Sequence, residues 1–257
     1  MRPTVSVFFK RLALTALLAA VPCLAAAGPA NALNVTPASI VMDAQYSGVD
    51  LTVTGSVPTG ADVLVRVTGT PGELHLREKG KVFGLLWMNV GKVTLSNVPS
   101  VCLIAASRPL AQLGPVAASF RLDALTKAIG VEQQGGDQSV DIPHELLLLK
   151  SREGLYREGA EGISLGPEQG GMQPFTARVG MPSSLKPGTY QVEAIALRDN
   201  AVVGSTSATI TAALAGFPKW LSELAYQKSA LYGVMATVIA IVSGLAIGLV
   251  FQSKGAH

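Results

Sequence analysis

Residues 50–68 read DLTVTGSVPTGADVLVRVT, in which apolar and polar side chains alternate on both sides of a central turn. The alternation covers residues 50–54 and 62–68, and a period of two predicts strands with one buried face. Between them, residues 57–61 contain the proline and glycine of a turn. Short strands separated by turns favour a mainly β domain with a sandwich architecture.

The chain that follows continues the strand pattern. Residues 72–79 and 82–88 predict two strands joined near Gly80. Large apolar side chains of soluble domains are mostly buried, so we expect those of the second strand to lie in the core. They are Phe83, Leu85, Trp87 and Met88.

Strand signals return after residue 174. Residues 175–179 predict one strand. Residues 190–197 and 201–212 predict two more, which fold back on each other around a turn at Asp199 and Asn200. A hairpin of this kind closes immunoglobulin-like sandwiches.

The central part of the chain has helical signals instead. Residues 117–129 predict a helix, because alanines and an aromatic residue recur every four positions. Residues 143–158 predict a second helix, and the leucine run at 146–149 is also compatible with a buried strand. The polar residues 133–137 predict a loop between the two helices.

These patterns together predict a mainly β fold. We expect an immunoglobulin-like β-sandwich over residues 33–216, with a helical insertion at about 117–158. Two small β-domains bridged by helices are the alternative architecture.

The last apolar segment predicts a membrane anchor. Residues 231–251 read LYGVMATVIAIVSGLAIGLVF and carry no charge. At about 1.5 Å per residue, this helix covers roughly 31 Å, the thickness of the hydrocarbon core. Lys228 and Lys254 flank the segment, and residues 252–257 are expected to form a short cytoplasmic tail.

Small residues form a stripe on this transmembrane helix. They recur every four positions, so they lie along one face, where they allow close approach of a second helix. They are Ala236, Ala240, Gly244 and Gly248. The stripe predicts helix–helix packing, either with a second copy of the chain or with a different membrane protein.

The residues before the anchor predict a juxtamembrane amphipathic helix over 217–230. Apolar side chains recur with helical spacing, and Pro218 suits a helix start. They are Phe217, Trp220, Leu221 and Leu224. A flexible stalk is the alternative.

The N-terminal segment predicts a signal peptide over residues 1–32. It has a basic start, an apolar run and an Ala-Asn-Ala cleavage pattern at 30–32. Removing its three basic residues from the chain's 20 leaves 17, equal to the 17 acidic residues. A neutral mature chain lacks the basic footprint of a nucleic-acid-binding protein. An uncleaved N-terminal anchor is the alternative.

Reactive side chains are few. We expect His75 and His144 to be solvated, and Cys102, among apolar neighbours, to be a buried thiol. The Gly-x-Ser-x-Gly frame around Ser164 lacks the flanking strand and helix of a nucleophile elbow, so we expect a loop there. The sequence therefore predicts no catalytic residue, no metal site, no cofactor and no enzyme activity.

Eight segments of the chain, taken in order, form a pattern that covers nearly all of the mature chain. They are 63–69 (VLVRVTG), 81–89 (KVFGLLWMN), 98–99 (VP), 107–110 (SRPL), 154–156 (GLY), 181–182 (MP), 187–190 (PGTY) and 225–233 (AYQKSALYG). Their order resembles the Alph_Pro_TM family of transmembrane proteins, first described from Alphaproteobacteria. The resemblance implies a secreted, membrane-anchored protein of unknown biochemical activity. Together with the predicted signal peptide, it leads us to expect a protein of the bacterial inner membrane, with its ectodomain in the periplasm. Family members are often encoded near permeases of the sulfite-exporter type, which implies a transporter as partner.

We therefore expect a single-pass, membrane-anchored protein of the cell envelope that is not an enzyme. Its expected role is that of an accessory or interaction partner of a membrane transporter. The alternative is a periplasmic solute- or metal-binding module that delivers cargo to a permease.

Overall fold

The computed structural model of the chain describes residues 32–136, 139–159 and 162–252. The predicted signal peptide lies outside these residues, apart from Ala32. The strands are β1 (Asn34–Thr36), β2 (Ser39–Met42), β3 (Val49–Pro58), β4 (Asp62–Gly69), β5 (Pro71–Val82), β6 (Leu86–Pro99), β7 (Cys102–Ala106), β8 (Gly130–Gly135), β9 (Tyr156–Gly159), β10 (Ile163–Leu165), β11 (Met172–Met181), β12 (Gly188–Arg198) and β13 (Ala201–Leu214). The helices are α1 (Gly114–Ala118), α2 (Leu122–Ala128), α3 (Ile142–Arg152), α4 (Gly216–Gln227) and α5 (Ser229–Gln252), with a short 3-10 helix at Leu110–Gln112.

Two sheets enclose the main hydrophobic core. One has the strand order β1-β3-β11-β10, and the other has the order β2-β13-β12-β4-β7-β9. Buried apolar side chains from both sheets belong to a single cluster. The chain is therefore mainly β, as the alternating patterns predict.

The strands of residues 50–68 lie in different sheets. Val53 of β3 pairs with Ala177 of β11, whereas Val65 of β4 pairs with Ala194 of β12. The turn between β3 and β4 thus carries the chain from one sheet to the other. Side chains of the two strands meet across the core, where Val53 and Val65 are both fully buried.

The six-stranded sheet is covered on its outer face as well. Leu64 points away from the sandwich core, because successive residues of a strand alternate between faces, and it is still fully buried. Ala117 of α1 and Leu122 of α2 belong to the same cluster, so the two short helices contribute to this cover. Beside them, the Arg66 guanidinium lies 5.5 Å from the centroid of the Phe120 ring.

A second, smaller core lies under a three-stranded sheet of order β5-β6-β8. Leu95 of β6 is fully buried and packs in one cluster with Leu146 of α3. Leu146 lies on a helix, so the structure excludes the strand alternative for residues 146–149.

The predicted helical insertion is wrong in three details. Residues 117–129 form two helices with a break at 119–121, because the carboxylate of Glu158 accepts the Leu122 backbone N–H at 3.1 Å and caps α2. The helix predicted over 143–158 ends at Arg152, and residues 156–159 form a strand that pairs with β7. The loop predicted at 133–137 is largely the strand β8, which pairs with β6; Asp137 lies outside the described residues.

The predicted turn near Gly80 is also misplaced. β5 and β6 form a long hairpin whose turn is at residues 83–85. Phe83 and Gly84 both adopt positive φ, at 53° and 70°, and Val82 pairs with Leu86 across the turn. Beyond Gly91 the pairing of β6 with β8 ends, so the end of the hairpin has two strands and lies beyond the three-stranded sheet.

Two helices follow the last strand. α4 lies where the juxtamembrane helix is predicted over 217–230 but ends at Gln227, and α5 contains the predicted transmembrane segment. They are separated at Lys228, whose φ of −129° is not helical. Residues Ser229–Leu249 of α5 have a mean hydropathy of 2.2 and are long enough to cross a membrane.

Candidate functional site

The surface of α5 is the first candidate site. The apolar segment is unburied among the described residues, so its side chains are available to lipid or to another helix. The Gly244 and Gly248 positions are open, since a Cβ added at either would meet no atom within 4 Å. The predicted stripe of Ala236, Ala240, Gly244 and Gly248 therefore lies on an uncovered helix surface.

The hairpin tip, residues 79–90 at the end of β5 and β6, is the second candidate site. The four side chains predicted to lie in the core are exposed there instead, by 93% for Phe83, 84% for Leu85, 67% for Trp87 and 52% for Met88. The core prediction is wrong because burial needs a covering element, and among the described residues β5 and β6 pair only with each other at this point. Large apolar side chains exposed together at one end of a hairpin make this end a candidate interaction surface.

The backbone at the tip is strained. Phe83 is a bulky residue in the left-handed region, which costs an L-residue about 1–2 kcal/mol. Such strained positions cluster at functional sites. Gly84, which adopts positive φ without this cost, is the one sequence signal that places the turn here.

A cleft lies where the edges of the two sheets meet. Its volume is about 560 Å³, and its lining comes from strands β7, β9 and β11 and from Gly162, which precedes β10. Arg157, Glu158 and Arg178 contribute charged groups to the lining. The Arg157 guanidinium donates a hydrogen bond to the carbonyl oxygen of Gly180 at 2.6 Å, which ties β9 to β11 across the cleft.

The two histidines lie apart from this cleft. His75 is an exposed residue of β5, with Nδ1 at 3.2 Å from the Thr94 hydroxyl. His144 lies in the first turn of α3, where its backbone N–H donates to the Asp141 carboxylate at 3.2 Å. Among the described residues, no group of three His, Cys, Asp or Glu side chains is placed to hold a metal ion.

Cys102 is buried at the start of β7. Burial raises the pKa of its thiol to about 11, and the nearby Arg66 guanidinium offsets part of this effect. A thiol with so high a pKa is protonated at neutral pH and is a poor nucleophile. The prediction of a buried thiol is confirmed.

Ser164 lies in the edge strand β10, so the loop predicted around it is wrong. Its hydroxyl donates a hydrogen bond to the carbonyl oxygen of Thr176 at 3.4 Å. Thr176 is the residue that pairs with Ser164, so this bond links β10 to β11. The chain continues from β10 into β11. The strand–turn–helix context of a nucleophile elbow is therefore absent from residues 162–181.

The fold and these surfaces define a class: a mainly β membrane protein with one C-terminal apolar helix. The chain belongs to the family described as "Putative transmembrane protein (Alph_Pro_TM)", whose sequence profile matches residues 32–253. The resemblance noted from the sequence motifs is thus confirmed over the described part of the chain. No curated protein matches the chain.

Proposed function

We propose that this protein is a single-pass, non-enzymatic membrane protein that acts through contacts with another membrane protein. The observation that carries the proposal is the uncovered apolar surface of α5 with its stripe of small residues. A helix that only anchored the chain would need length and hydropathy but no such stripe.

The stripe supplies a contact mechanism. In lipid there is no hydrophobic drive for helices to associate, so close backbone approach and van der Waals packing must stabilise the pair. Gly244 and Gly248, one helical turn apart, offer a flat surface for this approach. The anchor also confines the ectodomain to the membrane plane, which raises its effective concentration near a partner.

We assign the ectodomain an immunoglobulin-like arrangement. The order β1-β3-β11-β10 corresponds to the ABED sheet of that fold, and β4-β12-β13 corresponds to its CFG sheet. The Tyr190 hydroxyl donates to the carbonyl oxygen of Lys186 at 2.6 Å, four residues upstream, as in a tyrosine corner. Both features support this assignment.

The proposed location is the bacterial inner membrane, with the ectodomain in the periplasm and the C-terminus in the cytoplasm. The N-terminal signal pattern supports this orientation. The first candidate partner is a transporter, such as a permease of the sulfite-exporter type, which the family resemblance implies. Self-association through the same stripe is the other outcome to be tested.

Crosslinking in native membranes, followed by identification of the attached protein, tests the proposal. The double variant Gly244→Leu and Gly248→Leu fills the stripe and is expected to abolish the crosslink. Ala246→Leu adds a similar side chain about 200° around the helix and should leave the crosslink intact. A protein that migrates alone from mild detergent, with all variants alike, would contradict the proposal.

The cleft at the sheet edges favours a second candidate function. Its volume of about 560 Å³ is in the range of small-ligand sites, and Arg157 and Arg178 at its lining suit an anionic solute. Under this alternative, sulfate should raise the melting temperature of the full chain in detergent, and Arg178→Gln should abolish the rise. An unchanged melting temperature with sulfate removes this candidate.

A further inference from the structure

The hairpin tip and the membrane anchor leave the ectodomain at the same end. Tyr190, near the start of β12, pairs with Gly69 at the end of β4 and with Ile210 near the end of β13. β4 continues into β5 through Thr70 alone, and β13 continues into α4 through Ala215 alone. The hairpin and the anchor therefore start from one end of the six-stranded sheet.

The hairpin is long enough to meet the membrane. β5 has 12 residues, and at about 3.4 Å per residue it spans about 40 Å. α4, which connects the sheet to α5, also has 12 residues, and at about 1.5 Å per residue it spans about 18 Å. The hairpin starts at this end of the sheet and is about twice as long as α4. It is therefore long enough to reach the bilayer surface.

Apolar side chains occur on both faces of the tip. Trp87 pairs with Lys81, and the next pair, Leu86 with Val82, lies on the opposite face because successive residues alternate. A protein that docked on one face would leave the other face in water. A lipid surface surrounds the end of a two-stranded hairpin and covers both faces at once.

The charge of the tip fits an anionic bilayer. Residues 79–90 contain Lys79 and Lys81 and no acidic residue. The Lys81 ammonium lies 5.4 Å from the centroid of the Trp87 ring. Tryptophan rings settle at the membrane interface, and lysine ammonium groups extend to the headgroups, where anionic lipids attract them.

We propose that the hairpin tip inserts into the surface of the anionic bilayer that α5 spans. The turn at Phe83 and Leu85 enters the boundary between headgroups and acyl chains, and the lysines stand at headgroup level. This second attachment fixes the orientation of the ectodomain relative to the membrane. The inference rests on the anchor and is independent of the transporter partner.

Fluorescence of the full chain in lipid nanodiscs tests the inference. The chain has two tryptophans, so Trp220→Phe leaves Trp87 as the single reporter. Lipids brominated on the acyl chains are expected to quench Trp87 about twofold, while aqueous iodide quenches it little. Strong quenching by iodide with none by brominated lipid would overturn the insertion. Shielding from iodide without quenching by brominated lipid would show a protein contact instead, and would overturn it equally.

Variants make the test specific. In the same background, Leu85→Asp is expected to abolish quenching by brominated lipid. Val202→Asp is the matched control: Val202 is 46% exposed and pairs with Leu197, at the end of the sheet away from the anchor. The pair Lys79→Gln and Lys81→Gln should reduce the difference in quenching between anionic and zwitterionic lipid. Equal effects of Leu85→Asp and Val202→Asp would contradict a specific role for the tip.

Discussion

At the residue scale, two partly exposed ion pairs of the ectodomain stabilise the fold. The Arg66 guanidinium forms an ion pair with Glu193 at 2.6 Å across neighbouring strands. The Arg121 guanidinium lies 2.7 Å from Glu158, whose second oxygen caps α2. Each carboxylate joins elements that are far apart in sequence, so these contacts stabilise the tertiary structure.

The raised pKa of Cys102 predicts how the free energy of unfolding depends on pH. Because burial raises its pKa from an ordinary value near 9 to about 11, the protonated thiol favours the folded state below about pH 9. This contribution is lost as the pH rises through about 11, and a shift of about two units corresponds to about 2–3 kcal/mol. The free energy of unfolding should therefore fall more between pH 9 and 11 in the native chain than in Cys102→Ala.

The same residue gives a labelling control. In a Cys23→Ser variant, Cys102 is the remaining thiol. It should react with maleimide at pH 8 only after unfolding, because the buried thiol is protonated and covered. Rapid labelling of the folded chain would contradict the burial of Cys102.

Glu158→Gln tests the cap of α2. The change removes the negative charge that pairs with Arg121 and weakens the acceptor of the Leu122 N–H. The expected loss is about 1–2 kcal/mol in the free energy of unfolding, measured by thermal unfolding in detergent. Asp123→Asn is the control, since that carboxylate is 73% exposed and lies 3.7 Å from Arg121. A loss as large in the control would show that the cap is not the cause.

At the element scale, the β5–β6 hairpin shows that a strand pattern in the sequence does not determine whether its apolar side chains are buried. Its residues alternate and pair as strands, yet within the part of the chain that the structure describes no third strand pairs with the tip, and its large apolar side chains are exposed. The amphipathic period of a strand predicts which side chains share a face, but a core needs a second layer. The apolar residues of the tip are therefore exposed although their pattern is that of core residues.

Gly84→Ala tests the hairpin turn. Gly84 has a φ of 70°, and a Cβ added there would meet no atom within 4 Å, so the cost is conformational and not steric. We expect a loss of about 1 kcal/mol in the free energy of unfolding, from a thermal melt. Gly72→Ala is the control, because Gly72 has equally open surroundings without positive φ. Equal melting temperatures for the two variants would contradict the turn geometry.

At the scale of the whole molecule, the ectodomain has its own core. The main cluster of buried residues lies between Val35 and Ala212, and α5 contributes none of its members. The membrane helix therefore lies outside the hydrophobic core of the ectodomain, and its solvent is lipid. This arrangement fits a protein whose anchor contacts lipid and whose ectodomain contacts water.

A fragment of residues 32–215 tests this arrangement. It should fold in water without α5 and unfold in one cooperative transition, monitored by circular dichroism. A fragment that ends at residue 205 is the control, because it lacks the buried residues Ile210 and Ala212 of β13 and should not fold. Aggregation of the longer fragment in an unfolded state would show that the anchor is needed for the fold.

The sequence by itself determined the nature of most elements. Alternation predicted β3, β4, β11, β12 and β13, and an uncharged apolar run of membrane length predicted α5. These signals are local, because period and hydropathy depend on residues close together in the chain. The stripe of α5 was readable for the same reason.

The tertiary structure alone decided how the elements meet. It placed β3 and β4 in different sheets, ended α3 before Tyr156, and left Phe83 and Trp87 in contact with solvent. Strand partners, helix breaks and exposure depend on groups distant in sequence, such as the Glu158 carboxylate at the start of α2. A local sequence pattern does not determine which distant residues will cover its side chains. The hairpin tip can therefore be identified as a candidate site only from the folded structure.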